Sequence, residues 1–355
     1  MRVALIYDRL AAGKDAPDIS PHRELLIDIN VVLESKNHCV GAIPCNHDIS
    51  EFISALKSFN PDVVFNLCES LFGESCKEAM MASILECFGF VYTGSGPGCL
   101  ALAQDKNISK SILRQRGLPT PESVVIRDAR ESESTVRKLM NPRRAEDRTN
   151  GLAFPLIVKP VREDASLGIE EESVICEGME NLKNRVSFII ENFNQPAIVE
   201  NFIEGRELNV ALLGNLDYEA LPFSEILLLR GSRVCGYKAK WVSDSPQYKS
   251  TVPKCPSDLD EKTAELVSEI AKKASLSHHC RGYVRVDLRL AQDSTPYVID
   301  LNPNPDLSRN AGFARSAEAG GISYSGLMER ILALGIDKGV PAGFVPDGSR
   351  TLLSR

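Results

Sequence analysis

Hydrophobic positions along this chain switch repeatedly between the two-residue period of a strand and the longer period of a helix. Residues 3–7 form an apolar run of strand length. Asp48 and Glu51 have capping-box spacing, and Phe52, Ile53 and Leu56 make one apolar helical stripe that Pro61 breaks. Val63, Val64 and Phe65 predict a second buried strand, and residues 79–88 a helix that Gly89 caps. This strand–helix repetition predicts a parallel sheet with helices on both faces. Ligands of such sheets sit beyond the carboxyl ends of the strands, which directs attention to Asp8, Asn66 and Glu69. Turn residues at 93–98 mark a boundary, and a helix over 105–116 follows, ended by Gly117, Pro119 and Pro121. Strands are predicted over 154–159, 197–200, 208–213 and 221–229, and an amphipathic helix over 258–275 with Asp258 and Glu261 as its box. Residues 128–150 mix charges of both signs and predict a solvated helix and loop. Residues 230–257 show little periodicity and predict a long loop, a common form for a lid.

One stretch carries chemistry as well as pattern. Val284, Val286, Leu288 and Leu290 alternate with Arg285, Asp287 and Arg289, so a strand here has an apolar and a charged face. In the next run Ile299 and Leu301 share one face, and Asp300 and Asn302 the other. A five-residue connection, 291–295, predicts an antiparallel hairpin that brings Asp287, Asp300 and Asn302 together beside Arg285. Two carboxylates and an amide oxygen are hard ligands that suit Mg²⁺. The plainer alternative is a polar outer face with cross-strand ion pairs such as Arg285–Asp300.

Composition narrows the class. The 355 residues are 43% hydrophobic and 25% charged, as in an ordinary globular protein, with a net charge of -7. That balance argues against a nucleic-acid partner. No CxxC pair occurs among the ten cysteines, so most thiols are expected to be reduced and buried. The start of the chain lacks a signal-peptide pattern and no long apolar run occurs, which predicts a cytoplasmic protein without a membrane partner. Lys159 stands at a strand end before a loop containing Ser166 and Gly168, and Lys106 opens a helix; both placements suit phosphate. Glu200, Asn201, Phe202 and Ile203 fit a hinge against a flat base, and Glu207 could accept from ribose hydroxyls. His278 and His279 lie just past a helix end, where a surface or capping role is expected.

The order of these motifs resembles the ATP-grasp superfamily, and within it the D-alanine–D-alanine ligase group. The resemblance runs from about residue 61 to 332. It rests on YTGSG (92–96), DK (Asp105, Lys106), IVKP (157–160), Ser166-x-Gly168, VENFIEGRELNVALLG (199–214), YKAKWVSDSPQY (237–248), RVD (285–287) and DLNPNP (300–305). It implies an α/β ATP-grasp fold: an N-terminal α/β domain with a doubly wound parallel sheet (1–102), a central subdomain (103–202), a C-terminal subdomain with the metal site (203–340) and a tail (341–355). ATP would lie between two antiparallel sheets. Lys106 and Lys159 would hold its phosphates, joined by Lys240 when the lid closes. Glu200 and its neighbours would meet adenine, and Glu207 ribose. Asp287, Asp300 and Asn302 would hold two Mg²⁺, with Mn²⁺ as a substitute. The implied product of phosphoryl transfer is an acyl phosphate, which an amine attacks while Arg285 stabilises the oxyanion. A homodimer acting on small amino-acid-like substrates is also implied.

The acceptor half departs from the ligase pattern. The first loop lacks its glycines, although Glu24 is a possible counterpart of the family's glutamate, and Glu69 stands where a histidine is usual. The two-serine step reads Ala165–Ser166, and Trp241 replaces the lid tyrosine. Arg309, Asn310 and Arg315 add bulk and charge where small hydroxyl residues are expected. Asp300 replaces the family's glutamate. These departures predict a ligase with an altered substrate pocket in which Glu69 takes an ammonium and Arg309 or Arg315 a carboxylate. The alternatives are a nucleotide-binding protein without turnover and a true D-alanine–D-alanine ligase. A dinucleotide oxidoreductase is disfavoured because no GxGxxG follows the first strand.

Overall fold

Alternating strands and helices at the amino end build a three-stranded parallel sheet of order β2-β1-β3. The computed structural model describes residues 1–8, 19–46, 48–140, 151–229, 231–242 and 244–337. Its first part contains β1 (Arg2–Asp8), α1 (Ile19–Ser35), β2 (Cys39–Cys45), α2 (Ile49–Phe59), β3 (Val63–Asn66), α3 (Glu78–Cys87) and α4 (Pro97–Gln104). The Asp48 side chain caps α2 by accepting from the backbone of Ser50 and Glu51. The expectations for the loop after β1, for residues 141–150 and for the tail fall outside the described residues.

The central part comprises α5 (Lys106–Gln115), β4 (Ser123–Ile126), α6 (Ser132–Met140), β5 (Leu156–Pro160), β6 (Val174–Ile175), α7 (Met179–Phe193) and β7 (Ala197–Asn201). Its antiparallel sheet runs β4-β7-β5-β6, with α7 packed on one face through Leu182, Val186 and Ile189. The last part comprises β8 (Gly205–Gly214), β9 (Glu219–Ala220), β10 (Ser224–Leu228), α8 (Tyr237–Trp241), α9 (Pro246–Lys249), β11 (Thr251–Lys254), α10 (Glu261–Ser277), β12 (Gly282–Ala291), β13 (Pro296–Asn302), α11 (Gly312–Ala319) and α12 (Tyr324–Ile336). Its sheet runs β11-β10-β8-β12-β13, with β9 paired to β8.

The two faces of β12 explain where the site lies. Val284, Val286, Leu288 and Leu290 pack on α10, as their alternation predicts. On the other face Tyr283 joins Val3, Leu5, Val63 and Phe65 in a core shared with the amino-terminal sheet. That core covers the start of β12 only. The polar set Arg285, Asp287 and Arg289 continues past its edge along the same face. Gly205 opens β8 at φ +148, where a Cβ would stand 1.9 Å from the Leu290 carbonyl oxygen. Gly205→Ala is expected to destabilise the fold by about 3 kcal/mol. A lowered urea midpoint would register this, and an unchanged midpoint would contradict it.

Several expectations are corrected. Residues 230–257 hold α8, α9 and β11, elements too short to show a period. The cap of α10 is Asp260, bonded to Thr263, while Asp258 pairs with Arg206 and Lys254. A bulge pairs Asp287 with Asp300 but Leu288 with Val298, so Val298 and not Ile299 shares the core face with Leu301. Five of the ten free cysteines are buried, half rather than most. His278 caps α10, but it is buried rather than on the surface, between Ser109 and the Ala274 carbonyl.

Candidate active site

The β12–β13 hairpin sets Asp287 directly opposite Asp300, and Arg285 opposite Asn302. Asp287 collects donors on both oxygens. Arg285 Nε lies 2.7 Å and Nη2 3.0 Å away, Asn209 Nδ2 2.7 Å and Asn302 Nδ2 3.1 Å. The ion pair therefore forms along one strand, Arg285 to Asp287, and not across the hairpin to Asp300 as in the plainer sequence alternative. Burial acts against the Arg285 charge, but Asp287, Asp300 and Asp306 outweigh it and raise its pKa. Among the described residues no group of three or more His, Cys, Asp or Glu side chains forms a metal cage. Two carboxylates plus an amide oxygen still fit Mg²⁺, which leaves coordination positions to phosphate and water.

Acidic groups gather around that patch. Burial, opposed by Lys106 and aided by Asp300 and Glu163, pushes Asp164 up to about 6. Burial likewise pushes Glu78 well above the usual carboxylate range, although Asn304 donates to it at 2.6 Å. Burial is the largest cause for both carboxyls, and neighbouring acids, Asp300 and Glu163 for Asp164 and Asp164 itself for Glu78, add to it.

Three lysines converge from the other side. Lys159 is the penultimate residue of β5, 3.0 Å from Glu200 Oε2, and both are buried. Lys106 follows the Asp105 cap of α5 and donates to the Glu163 carbonyl. Burial disfavours its charge, but Asp300, Asp164 and Glu200 outweigh this and raise its pKa. Lys110, one turn further along α5, lies 3.5 Å from the same Glu200 oxygen. Burial opposes the Glu200 charge, yet Lys110 and Lys159 win and hold its pKa down. Glu200 Oε1 is buried without a hydrogen-bond partner among the described residues. Lys110 went unrecognised in the sequence because a lysine at i+4 in KNISKSIL reads as solvated.

The segments predicted as hinge and lid come together through Phe202 and Val234. Phe202 N donates to the Pro155 carbonyl, and the Phe202 ring lies 5.1 Å from the Arg289 guanidinium. Arg289 in turn donates to Glu207 at 2.7 Å. Ile157, Val174 and Val234 form a small apolar cluster against Ile169 and Phe202. The Asn201 amide bonds to residues 151 and 153, and Ile203 follows at the turn into β8. The segment carrying exposed Lys240 is docked on the loop of Ser166: Trp241 Nε1 donates to the Ala165 carbonyl at 3.1 Å, and Lys238 pairs with Glu170. Ala165 and Ser166 both adopt left-handed backbone angles, which turns that loop sharply.

The acceptor residues divide. Glu69 lines a cavity with Asn66, Asn304, Tyr283 and Leu25 beyond the end of β3. Arg315 donates to the Asn310 carbonyl, and burial, opposed by Cys255 and Asp306, holds its pKa below the usual arginine value. Arg309 turns instead toward α1, 3.0 Å from Asp28, with its guanidinium 4.3 Å from the Tyr324 ring centroid. Exposed Asn310 gives its carbonyl to Arg315.

Comparison with known proteins fits this arrangement. The family model described as D-ala D-ala ligase C-terminus matches residues 112–333. The chain is 35% identical over 271 residues to the uncharacterized protein y4sG of Sinorhizobium fredii, covering 76% of this chain and 73% of that one. It is 33% identical over 282 residues to the D-alanine–D-alanine ligase of Bordetella avium, covering 79% and 80%. In three dimensions it is similar to the D-alanine–D-alanine ligase of Bacillus anthracis solved with ATP, with a TM-score of 0.72, 23% identity, and 95% and 97% of the two chains covered.

Proposed function

This chain belongs to the D-alanine–D-alanine ligase family and is an ATP-dependent, ADP-forming C–N ligase; from that premise we propose how its residues serve the reaction and which substrates it takes. The observation that carries the reading is the register of one hairpin, which opposes Asp287 to Asp300 and Arg285 to Asn302. Lys106 and Lys159 receive the phosphates of ATP, and Lys240 joins them from the lid. Glu200, Asn201, Phe202 and Ile203 border adenine, with the unpaired Glu200 Oε1 offered to a donor. Glu207 accepts from ribose. Asp287, Asp300 and Asn302 hold Mg²⁺, two ions in this reading and replaceable by Mn²⁺. When bound, the metal neutralises phosphate charge.

A substrate carboxylate oxygen attacks the γ-phosphorus, the bond to the β-phosphate oxygen breaks, and ADP leaves. The amine of the second substrate then attacks the acyl carbon. Arg285 holds the oxyanion that develops there, phosphate departs, and the amine loses a proton as the C–N bond forms. The docked Trp241–Ala165 contact keeps water from the acyl phosphate, with Ser166 at the turn beneath it.

The acceptor half supports substrates other than two D-alanines. Glu69 takes an ammonium and Arg315 a carboxylate, while Asn310 and Trp241 limit the space left for side chains; Arg309, held by Asp28 and Tyr324, is left out of the pocket. A homodimer in the cytoplasm belongs to the same reading; among the described residues no helix is long and apolar enough to cross a membrane. The test is a product screen with ATP, Mg²⁺ and pooled amino acids, following ADP release and product mass. A condensed product containing a partner other than D-alanine is expected. D-Ala–D-Ala formed at a normal rate from D-alanine alone would overturn the altered pocket, and nucleotide binding without ADP release under every substrate pair would overturn turnover.

A further inference from the structure

We infer that Lys110 is a positioning residue of the ligase reaction: it straps the metal-holding end of β13 to the carboxylate that holds Lys159, and so sets metal and phosphate subsites at a fixed spacing. The inference rests on the ligase reading above and adds a residue to it.

Lys110 is only 2% exposed. Its ammonium faces three acceptors on three segments: the Ile299 carbonyl at 3.2 Å, Thr120 Oγ1 at 3.4 Å and Glu200 Oε2 at 3.5 Å. An ammonium has three donors and no acceptor, so this set matches its capacity. Ile299 is the residue that the β12–β13 register skips, next to Asp300. A bulge frees backbone groups from the ladder, and here those groups are tied from outside. Lys110 takes the Ile299 carbonyl, Thr120 Oγ1 donates to the Val298 carbonyl at 2.8 Å, and Val298 N donates to the Pro119 carbonyl at 2.9 Å. The far end of the strap is Glu200, whose Oε2 also holds Lys159 at 3.0 Å.

Neutralising Glu200 does not by itself explain this lysine, since Lys159 already pairs with that carboxylate. A second buried ammonium on one oxygen is costly, because it leaves water and meets a like charge. The cost is visible in its titration: burial, with Lys159 adding and Glu200 opposing, pushes Lys110 down to about 8. What the second ammonium adds is the link from the central sheet to the C-terminal one. It also shares a helix face with Lys106 one turn earlier, so α5 reaches both subsites.

The strap predicts a specific defect in Lys110→Met, which keeps the length of the side chain and removes its donors. Binding of a non-hydrolysable ATP analogue is measured by calorimetry with Mn²⁺ and with EDTA, beside the melting temperature. In wild type, Mn²⁺ strengthens nucleotide binding; in Lys110→Met about tenfold of that gain is expected to vanish, because misplacement of reacting groups is steeply penalised. Affinity in EDTA is expected to change less than threefold, since Lys106 and Lys159 remain. A role in stability alone would lower the melting temperature and leave the Mn²⁺ gain intact, which would overturn the inference. If Lys110→Met does not fold, Thr120→Val decides: it loosens the same bulge without touching a charge, and a Mn²⁺ gain equal to wild type would overturn the strap. A wild-type chain that binds Mn²⁺ and nucleotide but turns over no substrate pair counts against the ligase reading, while the binding comparison still decides the role of Lys110.

Discussion

Arg285→Met should lower kcat by roughly 10²–10³-fold, the range seen when a donor aimed at a developing oxyanion is removed. The guanidinium is held at two points by Asp287, at 2.7 and 3.0 Å, on a strand whose opposite face is buried against α10. Its position is thus set before substrate arrives, and no reorganisation is needed as charge develops. Methionine fills the space but donates nothing. Asp287 would keep its contacts to Asn209 and Asn302. The KM for ATP should stay within a few-fold of wild type, because the phosphate lysines are on other elements. Steady-state kinetics with a product-forming substrate pair tests this split. A kcat within tenfold of wild type would remove Arg285 from the transition state.

Asp287→Asn is expected to cost about as much, roughly 10³-fold in kcat/KM, by a different route. The amide preserves shape but loses the charge, and one of its two ends becomes a donor facing the Arg285 and Asn302 donors. Both the metal subsite and the seat of Arg285 are damaged together. The distinguishing measurement needs no turnover: Mn²⁺ bound in the presence of an ATP analogue, followed by electron paramagnetic resonance, should fall at least tenfold in Asp287→Asn. It should be nearly unchanged in Arg285→Met. Full Mn²⁺ occupancy in Asp287→Asn would move the metal subsite elsewhere.

Much of the fold was legible because strands and helices announce themselves by period. The alternation through residues 284–290 correctly places Val284, Val286, Leu288 and Leu290 on the core face of β12. The same rule fails one strand later, since a single skipped residue at Ile299 reverses the assignment that strict alternation makes. The lid shows the opposite problem. Gly236 packs so close to the Ile169 carbonyl that a Cβ would stand 2.3 Å from its oxygen, so α8 is held by contact with a distant loop rather than by any pattern of its own.

Among the candidate residues, Lys106, Lys159 and the acids of the hairpin could be picked out, because strand ends and helix starts present side chains in known directions. Lys110 could not. Its surroundings in sequence are those of a solvated helix, and only Glu200, Thr120 and Ile299, brought from three other segments, turn it into a buried strap. Arg309 and Arg315 illustrate the same limit, for they stand six positions apart and end in different neighbourhoods, one with Asp28 and one at the Asn310 carbonyl.

By itself, then, the order of residues determined which side chains of β12 share a face, which lysines and acids are candidates for phosphate and metal, and that the acceptor half differs from the ligase pattern. The tertiary structure alone decided which part of that face of β12 lies under the amino-terminal sheet and which carries the polar cluster of Arg285, Asp287 and Arg289. The reason is physical: a strand's period directs a side chain relative to its own sheet, whereas coverage of that sheet depends on segments hundreds of residues away, whose packing no local period encodes.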